Sequence, residues 1–174
     1  KFYAWLRENL LKYSVHTAEE AHKTGIPMMR PLPMVFPEDK EAVYWEDEYF
    51  YGSDLLVAPV HQEGEKRRIY FPSGSWINLL DFRKMVGGNR IFQVDVPIDK
   101  IPVYIREGAC ILSVMNGELQ LGQSMTYEKK NTVLMSRALN ETSGKRYADG
   151  KEIEYNILGK TGEDFFMLRH AFET

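Results

Sequence analysis

The residues best suited to chemistry lie in the run "YWEDEYFYG" (44–52), where Glu46, Asp47 and Glu48 stand among Tyr44, Trp45, Tyr49 and Phe50. Carboxylates act as general acids and bases, adjacent carboxylates shift each other's pKa, and aromatic faces can stack on sugar rings. Neighbours in a chain rarely point into one pocket, so packing and solvation account for the same run. The histidines His16, His22, His61 and His170 are scattered, and His16 with His22 lacks the i, i+4 spacing of a helical zinc pair, so no metal site is read. "GEKRR" (64–68) reads as a solvated hairpin edge that discourages edge pairing. "GGN" (87–89) lacks the strand-turn-helix setting of a nucleotide loop and reads as a turn. Arg30 is the odd residue of "MMRPLPMVFPED" (28–39), a guanidinium in an apolar, proline-rich run, and it requires a partner if buried. Asp39, Asp54, Asp95 and Asp99 stand beside turns or strand ends, where short carboxylates bond nearby backbone N–H groups.

Those residues must be positioned by a globular fold. The 174 residues are 44% hydrophobic and 27% charged, enough for one or two cores. A net charge of -3 without a long Lys/Arg cluster leaves no electrostatic footprint for nucleic acid or an anionic membrane surface. The one cysteine, Cys110 in "ACILSV", reads as a buried strand residue; it cannot form an intrachain disulfide or a Cys-rich zinc site. No apolar run approaches the ~18 residues of a membrane-spanning helix.

In "FYAWLRENLLKYSVHTAEEAHKTG", Phe2, Leu6, Leu10, Tyr13 and Thr17 or Ala21 recur at spacings of three and four, and Gly25 then Pro27 supply a stop. One amphipathic helix is predicted, with no N-cap residue and no neighbouring helix to cover its apolar face. Since the chain opens inside this pattern, material upstream of Lys1 is expected. Met28 to Phe36 reads as a short buried strand. Beyond it "LLVAPV", "RRIYFP", "WINLL", "FQVDVP", "IPVYIRE" and "CILSVM" follow at short intervals, the mark of an antiparallel sandwich or barrel. "TVLMSRAL", "IEYNIL" and "FFMLRHAF" repeat that texture, with "NETSGKRYADGKE" and "GKTGED" as polar turns.

Four pieces of the chain, "GIPMMRPL", "YGSDLLVAPV", "YFPSGSW" and "IPVYIREGA", resemble in order and interval the carboxyl-terminal region of family 31 glycoside hydrolases, which include α-glucosidases and α-xylosidases. The likeness covers Lys1 to about Ile111 and thins beyond Leu112. It implies a mainly β fold: an antiparallel β-sandwich over 51–122, preceded over 1–50 by the last helix and eighth strand of a (β/α)8 barrel, and followed over 123–174 by the start of a distal β domain or an extension of the sandwich. Trp76 then anchors the sandwich core, and Arg30 is a paired barrel residue. The resemblance implies a retaining α-glycosidase acting on oligosaccharides, whose nucleophile and acid/base aspartates lie upstream. No residue here matches either, so no catalytic, substrate-binding or metal-binding residue and no cofactor is assigned. The expected partners are the upstream barrel and its oligosaccharide substrate, with self-association through the uncovered helix face. The alternative is a stand-alone carbohydrate-binding sandwich using "YWEDEYFY" or Trp76.

Overall fold

The computed structural model describes residues 1–62, 64, 66–80, 85–115, 121–123, 131–136, 142–148, 151–157 and 166–169, the last four stretches as backbone. They form two compact units, 27–107 and 1–26 with 108–174. His170, residues 124–130 and 149–150, and the "GKTGED" turn expected over 159–164 lie outside the described residues.

The chain opens with α1 (Phe2–Asn9) and α2 (Leu11–Thr24), where one helix is predicted. The interruption is slight: Leu10 has φ -88° and ψ 9°, yet its N–H still reaches the Leu6 carbonyl at 3.0 Å, and Ser14 N–H donates to Leu10 at 2.9 Å. No side chain caps α1, as the sequence implies. Gly25 ends α2 in the left-handed conformation, φ 75°, donating its N–H to the Ala21 carbonyl, a geometry that favours a residue without Cβ. Leu6, Leu10, Tyr13 and Thr17 are buried, as their spacing predicts. The expectation that this face lacks cover is overturned, because both helices pack in their own unit against β9 (Cys110–Met115), a strand far away in sequence.

The other unit begins with β1 (Met29–Pro31), which runs directly into the one-turn helix α3 (Leu32–Val35). The single strand expected over Met28–Phe36 is thus corrected to three residues and a helical turn: Pro31 sits extended at the N-cap of α3, and Pro33 occupies its first turn, where proline's missing N–H costs nothing. β2 (Tyr49–Tyr51), β3 (Leu55–Val57), β5 (Ser75–Asn78), β6 (Met85–Gly87) and β8 (Val103–Arg106) complete a six-stranded antiparallel sheet in the order β1-β2-β3-β8-β5-β6. β4 (Lys66–Phe71) and β7 (Arg90–Asp95) pair separately as an antiparallel ribbon.

All six strand runs read over 55–115 are strands, and β2 and β6 are added to them. Along β4 the side chains alternate: Arg67, Ile69 and Phe71 share one face, Lys66, Arg68 and Tyr70 the other. Ile69 and Phe71 join Leu32, Phe50, Leu56 and Trp76 in one buried cluster, so the ribbon lies as a second layer over the sheet. Trp76 is fully buried and donates Nε1–H to the Pro72 carbonyl at 3.0 Å. Phe71 meets Tyr104 edge to face at 4.7 Å between centroids, and Phe50 meets Trp76 at 5.6 Å. The Arg106 guanidinium lies over Phe36, Phe50 and Trp76 at 4.8, 5.7 and 5.5 Å, a cation held on aromatic faces. Arg30, 5% exposed, donates Nε–H to the Pro27 carbonyl at 2.8 Å.

The chain then returns to its first unit with β9, β10 (Asn131–Ser136), β11 (Thr142–Ala148), β12 (Lys151–Ile157) and β13 (Phe166–Arg169). β10 pairs antiparallel with both β9 and β13, and β11 with β12 forms a hairpin. "NETSGKRYADGKE", read as a polar turn, is therefore largely the β11 strand. All six residues of β9 are buried, Cys110 among them, which explains a texture that is apolar apart from Ser113. One polar group bridges this packing. Asn9 is fully buried, its Nδ2 donating to the Val114 carbonyl and its Oδ1 accepting from Gly122 N–H, both at 2.8 Å.

Asn9→Leu keeps the volume but strands a carbonyl and an N–H, each worth about 1–3 kcal/mol when left unpaired. A lowered urea midpoint with unchanged slope is the expected result. In the turn before β7, a Cβ on Gly88 would clash with the carbonyl oxygens of Pro72 and Gly74. Gly88→Ala is expected to cost about 1–3 kcal/mol through displaced backbone, read from the same melts.

Candidate functional site

The acidic-aromatic run is dispersed by its own geometry. Residues 42–44 form a short 3-10 turn, and β2 begins at Tyr49, so residues 45–48 cross from one to the other beside β4. Glu46 is exposed, Asp47 half-buried and Glu48 2% exposed. Glu48 Oε1 accepts the Tyr70 N–H at 3.1 Å and lies 3.5 Å from Arg67 Nη2. Asp47 Oδ2 meets Arg67 Nη1 at 2.9 Å and His61 Nε2 at 3.2 Å, while its backbone carbonyl accepts from Arg67 Nη2 at 3.3 Å. Arg67 also donates Nε–H to the Pro59 carbonyl at 3.1 Å. The guanidinium thus gathers residues 47, 48 and 59 around itself.

Burial pushes the Glu48 carboxyl up from 4.5 to about 8; the Tyr70 N–H and Arg67 pull the other way, and Asp47 adds to the rise. Two of the three acids are therefore committed to Arg67. Among the described residues no group of three or more His, Cys, Asp or Glu side chains is arranged to hold a metal.

Trp45 is fixed on the outer face of β4. Its ring stacks on Tyr70 at 5.7 Å and 16° between planes, Arg68 Cζ lies 5.7 Å from its centroid, and its Nε1–H donates to Glu41 Oε1 at 3.2 Å. Tyr70 is held in turn by its hydroxyl, which donates to Asp39 Oδ2 at 2.6 Å. Burial and the Asp39 carboxylate raise the Tyr70 pKa well above the ordinary phenol range, so the ring stays neutral. Trp45, Asp47 and Arg68 are shared walls of two open grooves of about 460 and 370 Å³.

Other sequence candidates are placed elsewhere. Trp76, fully buried, presents no face to a sugar. Asp39 Oδ1 accepts the Glu41 N–H at 3.1 Å, the turn role expected of it. Asp95 and Asp99 are exposed at the end of β7 and in the turn after it. "GEKRR" departs from the solvated edge read for it: Lys66 and Arg68 are exposed, but Arg67 is 7% exposed and ion-paired. The signal that would have found it is alternation, since a strand that buries Ile69 and Phe71 must also turn Arg67 inward.

Glu48 anchors the crossing chain, and its titration makes that anchor pH-dependent. Because its folded pKa lies above the ordinary value, its contribution to stability is complete below about pH 4.5 and is lost as pH rises through about 8. Glu48→Gln keeps an acceptor for Tyr70 N–H and cannot ionise. The variant's Tm relative to the parent is expected to rise between pH 5 and pH 8; a relative fall would mean that attraction to Arg67 outweighs desolvation.

Comparison with known proteins supplies the family. Residues 25–111 match the description "Glycosyl hydrolase family 31 C-terminal domain". The chain is 35% identical over 121 residues to an isomaltosyltransferase of Sporosarcina globispora, covering 69% of this chain and 11% of that protein. It is 32% identical over 112 residues to alpha-glucosidase 2 of Bacillus thermoamyloliquefaciens, covering 64% and 14%. The cycloalternan-forming enzyme of Listeria monocytogenes, solved with a pentasaccharide substrate, superposes with a TM-score of 0.85 at 28% identity over 91% of this chain and 16% of that one. The chain thus spans less than a fifth of each of these proteins. It belongs to glycosyl hydrolase family 31, whose C-terminal domain it matches over residues 25–111.

Proposed function

We propose that this chain serves as the carboxyl-terminal part of a retaining α-glycosidase that hydrolyses α-linked glucosides or xylosides, bracing the catalytic barrel without contributing its two aspartates. The observation that carries the reading is the family match over 25–111, with relatives that include both an α-glucosidase and an α-xylosidase. Retaining cleavage needs two carboxyl groups about 5–5.5 Å apart across the scissile bond. The local acids are poor substitutes: Asp47 and Glu48 are bound to Arg67, and a carboxyl as buried as Glu48 has no approach to a sugar.

In this reading residues 1–50 close the barrel, 51–122 form the proximal domain and 123–174 begin the distal one. Arg30 then supports the barrel rim from inside the fold. The upstream barrel is the principal partner, and the oligosaccharide is that barrel's substrate.

Two measurements test the proposal. The purified 174-residue chain is expected to release no aryl alcohol from aryl α-glucosides or α-xylosides, whereas the enclosing polypeptide hydrolyses at least one of them. Turnover by the short chain, or none by the longer one, would overturn it. Leu11 and Val15, 56% and 45% exposed and one turn apart on α2, offer an apolar stripe for self-association. Sedimentation of the short chain is expected to show concentration-dependent dimers, reduced in Leu11→Lys; a monomer at every concentration would remove that part of the reading.

A further inference from the structure

We propose that the exposed part of the Trp45 ring, with the two grooves it lines, binds a neutral pyranose unit of an oligosaccharide. The inference takes its ligand class from the glycosidase reading, and its location from the geometry alone.

The argument begins with β4. Arg68 and Tyr70 are two residues apart on one strand and so project from the same face. Both meet the Trp45 ring, Tyr70 stacked at 5.7 Å and Arg68 Cζ at 5.7 Å from the centroid. The ring is half-buried and lines both grooves, so part of it stays open to them. Three contacts stop the ring from rotating out of this pose: the stack itself, the Nε1–H bond to Glu41 and the Asp39 bond that holds Tyr70. A flat aromatic surface fixed before binding avoids the rotamer cost that a mobile side chain would incur.

The surroundings suit a polyol. The two grooves have volumes of about 460 and 370 Å³, within the usual range for small-ligand sites. Glu41, Glu46 and Asp47 line one, and His61, Lys66 and Gln93 line the other, giving many donors and acceptors of both signs around one ring. Mixed charge selects against a strongly ionic ligand, while the apolar ring accepts the C–H face of a pyranose. Tyr44, 78% exposed, extends the aromatic wall of the larger groove.

The test uses the 174-residue chain. Calorimetric titration with maltotetraose, isomaltotetraose and xylotetraose is expected to give saturable binding for at least one of them, and weaker binding of tetragalacturonate. Trp45→Ala is expected to weaken the neutral ligand about tenfold or more, since a buried aromatic anchor carries a disproportionate share of binding energy. Trp45→Phe, which keeps a ring over Tyr70, is expected to fall between the two. Ile98→Ser, at a residue 95% exposed outside both grooves, is expected to match the parent. If Trp45→Ala melts near the assay temperature, Trp45→Phe decides.

Equal affinity in the parent and the Trp45 variants, or no saturation by any neutral oligosaccharide, would overturn the site. Those outcomes leave the hydrolase reading standing, because it fails only on aryl glycoside turnover, which this titration does not measure.

Discussion

The structure of the 27–107 unit depends on one buried electrostatic arrangement, the Arg67 guanidinium held among Asp47, Glu48 and the Pro59 carbonyl. Removing a cation and a carboxylate from water costs several kcal/mol per ion, and attraction repays this only if further hydrogen bonds satisfy the remaining groups. Arg67 meets that condition with bonds to two backbone carbonyls as well as the Asp47 carboxylate. Glu48 meets it less fully, with Tyr70 N–H and the longer contact to Arg67, and its raised pKa is the consequence. The arrangement therefore adds less to stability than to position: it ties two separate pieces of chain, 47–48 and Pro59, to one point on β4. The platform above it, Trp45 on Tyr70, inherits that placement.

Beneath the ribbon the aromatic cluster sets the spacing of the two layers. Phe36, Phe50, Phe71, Trp76 and Tyr104 meet at tilted or edge-on angles, the arrangement that brings a positive ring edge to a negative ring face. Arg106 extends the same logic, its cation covering three of those rings. Substituting a smaller apolar residue at 76 would remove three aromatic neighbours, Phe36, Phe50 and Phe71, and the Arg106 contact together.

Much of this was legible in the residues. Short β-rich runs separated by turn residues located every strand from β3 to β9 except the short β6, and the three-and-four spacing of Leu6, Leu10, Tyr13 and Thr17 identified the buried helix face. What escaped shares a cause. The split of 28–36 into β1 and α3 turns on how Pro31 and Pro33 are used, and proline forbids a central strand without saying which alternative replaces it. β11 escaped because its composition, rich in Gly, Ser and Lys, is that of a turn, and its pairing with β12 overrides local propensity. The cover over the helix face comes from β9, about a hundred residues away in the chain, a contact that periodicity in α1 and α2 cannot encode. At the candidate site the acids and aromatics were visible as a run, but their partner Arg67 was hidden in a basic cluster that looked wholly solvated.

The fixed register of the ribbon links core and surface more tightly than either suggests alone. β4 pairs with β7 so that Arg68 stands opposite Gln93 and Tyr70 opposite Ile91. A slip of one residue would exchange the two faces of β4, sending Arg67, Ile69 and Phe71 outward and burying Lys66 and Arg68 without partners. Glu48 opposes that slip from outside the ribbon, because its carboxyl accepts the N–H of one particular residue, Tyr70. The bond that spends an acid on a backbone amide thus decides which side chains reach the core and which form the bed on which Trp45 rests. The acids of this run act on the fold through register, and the surface chemistry left to it falls to the aromatic ring they hold in place.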